Sequence, residues 1–167
     1  MHLAMSGLFR AKWSNLIHDE WIRNVLKNRP DLSPDQLART RLLMDAHARD
    51  CVVEGFEHLI ESIPLPDPND RHVVAAAIAG KASKIVTFNM SDFPTRATTP
   101  FGIKAVSPDN FICELLDLSE SAVCTAVRNL RQSLRNPPKT ASEVLERLEA
   151  QRLPKSVARL QTLVEDL

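Results

Sequence analysis

Pro66-Asp67-Pro68-Asn69-Asp70-Arg71-His72-Val73-Val74-Ala75-Ala76-Ala77, followed by Lys84-Ile85-Val86-Thr87-Phe88-Asn89-Met90-Ser91-Asp92-Phe93, is the stretch on which the fold turns. The prolines end one segment and Asp70 opens an alanine-rich run that predicts a helix to about Lys81. A short apolar strand over 84–88 comes next, and a polar loop with Asp92-Phe93-Pro94 leaves it. In a parallel α/β sheet the helix start and the strand end lie at the same edge, so the acids of both segments meet there. Carboxylates gathered at such an edge can hold a divalent metal.

Outward from that stretch, strands and helices alternate up to residue 107. Phe9 to Trp13 and Cys51-Val52-Val53 read as short strands, and Ile103 to Val106 as the last one. Ser14 caps a helix to about Asn28 with Leu16, Ile17, Trp21, Val25 and Leu26 on its apolar side. Ser33-Pro34-Asp35-Gln36 combines a cap, a first-turn proline and a glutamine, which predicts a helix to about Ala48. Phe56 to Ile63 supplies a turn or two of helix. The opening residues to Leu8 read as the end of an amphipathic helix stopped at Gly7. From Pro108 the pattern is helical only, over about 109–117, 119–135, 140–151 and 154–165. The expected organisation is an α/β domain over 1–107 and a helical extension over 108–167.

Composition narrows the function. Lys+Arg and Asp+Glu balance at 21 each, so RNA or any other polyanion must be met by a local basic surface or through metal. The longest apolar run, about eight residues near Val73–Ala79, is far below the roughly 20 that span a bilayer. No secretory leader is legible, and Cys51, Cys113 and Cys124 are too far apart for a Cys-x-x-Cys site. A cytoplasmic protein with reduced thiols and no membrane association is the expectation. A Walker loop, a Gly-x-Gly-x-x-Gly turn and a serine-hydrolase elbow are all missing from the chain, and its five histidines form no metal-spaced pair.

Each candidate residue has an ordinary explanation beside the chemical one. Asp67 and Asp70 would serve as helix caps, at about 0.3–1 kcal/mol each in charge–dipole energy, yet two acids around Asn69 exceed what a cap needs. Asn89 and Asp92 would satisfy a polar turn, or with Thr87 supply oxygens to a site. Glu20, at the margin of the Ile17/Trp21 face, and Asp19 are not separated by spacing alone. Arg71 and His72 adjoin the acids. Arg128, Arg131, Arg135 and Lys139 form a stripe that reads as a solvated face or as phosphate contacts.

Asp70 to Ala77 followed by Ile85-Val86-Thr87-x-Asn89-x-x-Asp92-Phe93 resembles the PIN domain, and more narrowly the VapC-like toxin group of toxin–antitoxin pairs. The resemblance implies a Rossmann-like short parallel sheet flanked by helices and a Mg²⁺ or Mn²⁺-dependent endoribonuclease activity. It implies Glu20, Asp70 and Asp92 as catalytic metal ligands, Asp67 as an auxiliary acid, and Thr87 and Asn89 as polar support. Arg71, His72, Arg128, Arg131 and Arg135 are the expected RNA contacts, and an antitoxin protein and a second copy of the chain the expected partners. The usual first strand, which ends in an aspartate, has no counterpart in this sequence. Weak metal binding and low or absent activity are therefore expected, with a non-catalytic interaction module as the competing reading.

Overall fold

The computed structural model describes residues 2–167, which form two compact units: Arg10–Ala105, and residues 2–9 with Val106–Leu167. Among the described residues no helix is long and apolar enough to cross a membrane.

In the first unit, α1 (Asn15–Asn28) starts where the Ser14 hydroxyl accepts the Ile17 N–H, and it ends just before Pro30. The second helix, α2 (Pro34–His47), begins with a complete capping box. Ser33 N–H donates to Gln36 Oε1 at 2.8 Å while Gln36 N–H donates to Ser33 Oγ. Leu16, expected on the apolar side of α1, is instead 41% exposed. It lies one position, or about 100°, from Ile17 and so falls outside the stripe that packs inward.

A buried polar cluster ties α1 to α2. The fully buried His18 accepts the Trp21 Nε1–H on Nδ1 at 2.9 Å, so its hydrogen sits on Nε2 and points to Asp45 Oδ1 at 3.0 Å. Trp13 Nε1–H donates to the same oxygen at 2.7 Å. Burial disfavours the Asp45 carboxylate, but these two donors outweigh it and hold its pKa below the ordinary value.

The expected strands at 9–13 and 51–53 reduce to one parallel bridge, with Trp13 N–H on Cys51 C=O and Val53 N–H on Trp13 C=O, both 2.8 Å. The cap of α1 begins at the very next residue, and Gly55, at φ +74°, turns the chain two residues after Val53. The sheet proper is a short parallel pair, β1 (Lys84–Val86) and β2 (Lys104–Val106). β1 stops two residues sooner than its apolar run because the Thr87 hydroxyl accepts the Asn89 N–H at 3.0 Å and starts a turn.

Between the bridge and β1 runs α3 (Arg71–Ala79), preceded by 3₁₀ turns over Glu57–Ser62 and Pro68–Asp70. Val74, Ala75, Ala76 and Ala77 are buried and pack with Phe56, Ile63, Leu65, Ile85, Phe93 and Ile103. Alanine is what this position requires, because α3 is enclosed by α1, β1 and the 57–62 turn. Gly80 ends the helix where a Cβ would stand 2.9 Å from the Val53 side chain. Phe56 and Ile63 are almost fully buried, which stabilises the unit by about 1.5–3 kcal/mol each. After β1 the chain makes the single turn α4 (Thr95–Thr98).

The second unit is helical: α5 (Pro108–Leu118), α6 (Glu120–Ser133), α7 (Ala141–Ala150) and α8 (Pro154–Gln161), closed by a 3₁₀ turn at Val164–Asp166. Its core joins Leu115, Leu116, Val123, Val127, Val144, Leu145, Val157 and Leu160. The expected helix over 154–165 breaks after Gln161, where the Thr162 hydroxyl bonds back to Arg159 C=O at 2.7 Å. Residues 2–9 pack in this unit as turns and bends rather than a helical end, with Phe9 set edge-on to Phe111 at 5.0 Å. Their two i→i+3 backbone bonds, Met5 N–H to His2 C=O and Ser6 N–H to Leu3 C=O, make turns only. Gly7, at φ +77°, does reverse the chain there. The part of this expectation that falls on Met1 lies outside the described residues.

Asp109, on the first turn of α5, caps α8 from outside. The N-cap position of α8 is Leu153, which carries no oxygen, and Asp109 accepts from Ser156 N–H at 2.8 Å, Ser156 Oγ–H at 2.7 Å and Lys155 N–H at 3.0 Å. Burial opposes its charge, yet the Ser156 and Lys155 donors prevail and keep its pKa below the ordinary value.

Candidate functional site

The acids singled out by the sequence are placed by three elements of the first unit. Asp67 and Asp70 flank the 3₁₀ turn that leads into α3, Asp92 lies in the loop after β1, and Glu20 lies on α1, which packs on α3.

Capping separates Asp67 from Asp70. Asp67 Oδ1 accepts the Asn69 N–H at 2.8 Å and so performs the ordinary helix-start role. Among the described residues Asp70 caps no backbone N–H, although it occupies the N-cap position of α3. Its backbone is helical, with φ −90° and ψ −7°, rather than the extended conformation in which a cap side chain folds back.

The Asp70 carboxyl is instead pushed above its ordinary pKa. Burial is the largest cause, followed by the charges of Asp92, Asp67 and Glu20, with His72 partly opposing them. Four carboxylates thus share one electrostatic neighbourhood in which Asp70 is the strained member. A cation there would offset the repulsion among these charges.

His72 holds the α1 side of this neighbourhood. Its Nδ1–H donates to Asn69 C=O at 2.7 Å, and its Nε2 lies 3.2 Å from Glu20 Oε2. That approach is an ion-pair contact out of line for a hydrogen bond, so the buried Nε2 has no hydrogen-bond partner among the described residues. Arg71 lies 3.9 Å from Glu61 through Nη1, and its buried Nε likewise has no such partner. The sequence offered no signal for the Glu20–His72 contact, because it depends on how α1 packs on α3.

Asp92 Oδ1 accepts from the Ser91 hydroxyl at 3.2 Å, and Asp92 N–H donates to Asn89 C=O at 3.2 Å. The Thr87 hydroxyl and the Asn89 backbone therefore build the turn after β1, and Asn89 is exposed. Among the described residues no three Asp, Glu, His or Cys side chains are drawn together closely enough to hold an ion. The donor set is nevertheless all hard oxygen, the type that suits Mg²⁺ and Mn²⁺.

The expected basic stripe divides in the second unit. Arg128 donates to the Asp166 carbonyl and Lys139 pairs with Glu143 at 2.7 Å, so both serve the fold. Arg131 is half-buried, and among the described residues its Nε has no hydrogen-bond partner; Arg135 is exposed.

Comparison with known proteins addresses the family of the chain. The family model described as PIN domain matches residues 1–91, and that described as VapC50 C-terminal domain matches residues 108–162. The chain is 37% identical over 94 residues to "Putative ribonuclease VapC50" of Mycobacterium tuberculosis (strain ATCC 25618 / H37Rv), a match covering 56% of this chain and 55% of that protein. The chain thus spans about half the length of the curated relative it matches. No solved structure matches. With acids at the start of α3 and after β1 in a short parallel sheet, and with both family models matching in order along the sequence, the chain belongs to the PIN-domain family, in its VapC-like group.

Proposed function

We propose that the chain is a divalent-metal-dependent endoribonuclease of toxin–antitoxin type, acting in the cytoplasm on RNA phosphodiester bonds. The observation that carries this reading is Asp70: a part-buried carboxylate without a capping bond, opposed by three other acids. Carboxylates perturbed together by burial and by like charge are the kind that functional sites gather.

Asp70, Asp92 and Glu20 would hold Mg²⁺ or Mn²⁺, with Asp67 as an auxiliary acid and Thr87 and Asn89 as polar support. The chemistry such an ion supplies is a water activated for in-line attack and relief of charge on the leaving oxygen. The chain's own residues do the rest. His72, anchored on Asn69 C=O, fixes the position of Glu20. Arg71, next in the chain to Asp70 and held among the described residues only by a 3.9 Å contact to Glu61, brings a cation beside the acids for a substrate phosphate. Asn69, between the two aspartates, keeps Asp67 in its turn and leaves Asp70 to the ion.

A second reading is a non-catalytic module that binds an antitoxin-like protein or a second copy of the chain. The lack of a closed three-residue ligand set among the described residues favours it, as do Val86 and Met90, each more than 40% exposed around the end of β1. Cleavage of a labelled RNA in Mn²⁺ or Mg²⁺, compared with EDTA, decides between the two. Metal-dependent cleavage lost in Asp92→Asn supports the enzyme, and no cleavage in either metal sinks it.

A further inference from the structure

The helical unit has its own basic cavity. The loop between α6 and α7 folds back on itself through an antiparallel bridge between Arg135 and Pro138. A cavity of about 350 Å³ opens beside it, lined by Ser133, Arg135, Asn136, Lys139 and Arg147 among others. The volume admits a phosphate with its sugar, and its lining offers an amide and three cations, the Ser133 hydroxyl being engaged with Leu130 C=O at 2.7 Å.

Its charge balance is unusual for a chain of zero net charge. Lys139 is neutralised by Glu143, whose pKa is lowered to about 2 by Lys139 and by the Thr140 N–H. Among the described residues Arg135 and Arg147 have neither an ion pair nor a side-chain hydrogen bond, and both are exposed. Helix caps explain Thr140 and Glu143, which form a capping box, but explain neither arginine. Two planar guanidiniums with free N–H forks match the oxygens of a phosphate better than those of a single carboxylate, because a phosphodiester can accept from both at once.

We propose that this cavity binds a backbone phosphate of an RNA strand, through Arg135 and Arg147 with the Asn136 amide as a neutral donor. The identity of the strand rests on the ribonuclease reading above, whereas the site itself rests on the cavity. Binding here is independent of metal and of base sequence, since phosphate carries no sequence information.

The test is fluorescence anisotropy of a labelled single-stranded RNA in EDTA, with the full chain as wild type, Arg135→Glu/Arg147→Glu and, as a control for net charge, the exposed pair Arg39→Glu/Arg49→Glu in the other unit. The expected result is at least a tenfold loss of affinity for the Arg135/Arg147 variant, with a salt dependence shallower by about 0.7 log units per lost phosphate contact. Its helical circular dichroism and melting temperature should stay those of wild type, and Arg135→Lys/Arg147→Lys should regain part of the loss. The control pair, which makes the same change of charge outside the cavity, should lose less than a third of that factor. Reading the loss in EDTA separates the two proposals, because a chain that never cleaves RNA can still lose binding through Arg135 and Arg147. Unchanged affinity in the Arg135/Arg147 variant overturns the inference. So does competition by inorganic phosphate or by poly-glutamate as effective as that by unlabelled RNA, which would assign the cavity to a free anion or to an acidic protein.

Discussion

Replacing Asp70 by Asn should stabilise the protein in the absence of metal. Asn keeps the shape of the side chain and removes a charge opposed by burial and by Asp92, Asp67 and Glu20. Asp70 is mostly solvent-screened, so each like-charged neighbour contributes only a few tenths of a kcal/mol, and His72 offsets part of the total; the net gain is about 0.5–1 kcal/mol. For a unit of roughly 100 residues this raises the melting temperature by about 2–8 °C. Because the folded state raises the Asp70 pKa, the native chain binds that proton more tightly than the unfolded chain does. The deficit of the wild type is therefore full above the folded pKa, shrinks as pH falls through it, and vanishes below the unfolded carboxyl value. Thermal unfolding followed by circular dichroism at pH 7 in EDTA should show the gain, and 0.5 M salt should reduce it. Saturating Mn²⁺ should reverse the order, since an ion at 100 times its dissociation constant adds about 2.7 kcal/mol to wild type and only about 1.4 kcal/mol to a variant that binds it tenfold more weakly. A lower melting temperature for Asp70→Asn in EDTA would make Asp70 a structural residue of the helix start and refute the reasoning.

Further expectations follow from the same geometry. Asp109→Ala leaves the Lys155 and Ser156 N–H groups at the start of α8 without their acceptor and should cost about 2–4 kcal/mol in urea unfolding, with hydrogen exchange accelerated first in α8. Asp45→Asn keeps an oxygen for Trp13 and His18 but removes the charge that strengthens both bonds, and should cost about 1–3 kcal/mol, with a loss of native tryptophan fluorescence at lower denaturant. Asp45 and Asp109 both have depressed pKa values, so their stabilisation is present above the unfolded carboxyl range and is lost as pH falls through their folded values; urea unfolding should show stability falling as pH drops below about 4, and falling less steeply in Asp109→Ala, which keeps only the Asp45 share of the two. Gly80→Ala forces Val53 or α3 to move, and should cost about 1–3 kcal/mol in the same unfolding assay.

The sequence made legible whatever is governed by neighbours along the chain. Ser14 and Ser33 announced α1 and α2 because a cap and its N–H partners lie within three residues. The spacing of Asp70 and Asp92 around an alanine-rich helix and a strand predicted both at one sheet edge, and the Asp92 charge is among the causes that raise the Asp70 pKa. Strand lengths were overestimated because apolar runs continue past the last ladder bond, as at Thr87, where a hydroxyl takes over the next N–H. His18, read as an isolated histidine, bonds Asp45 from 27 residues away, and Asp109 reaches Ser156 across 47. No periodicity encodes such contacts; they arise when packed helices bring buried polar groups together and each must find a partner.

Isothermal titration of the full chain with Mn²⁺, in parallel with Glu20→Gln, Asp70→Asn and Asp92→Asn, tests the central claim most directly. The account predicts saturable binding by wild type that each substitution weakens at least tenfold, Asp70→Asn most of all. Wild-type binding that survives all three substitutions, or no binding by wild type at all, would contradict it.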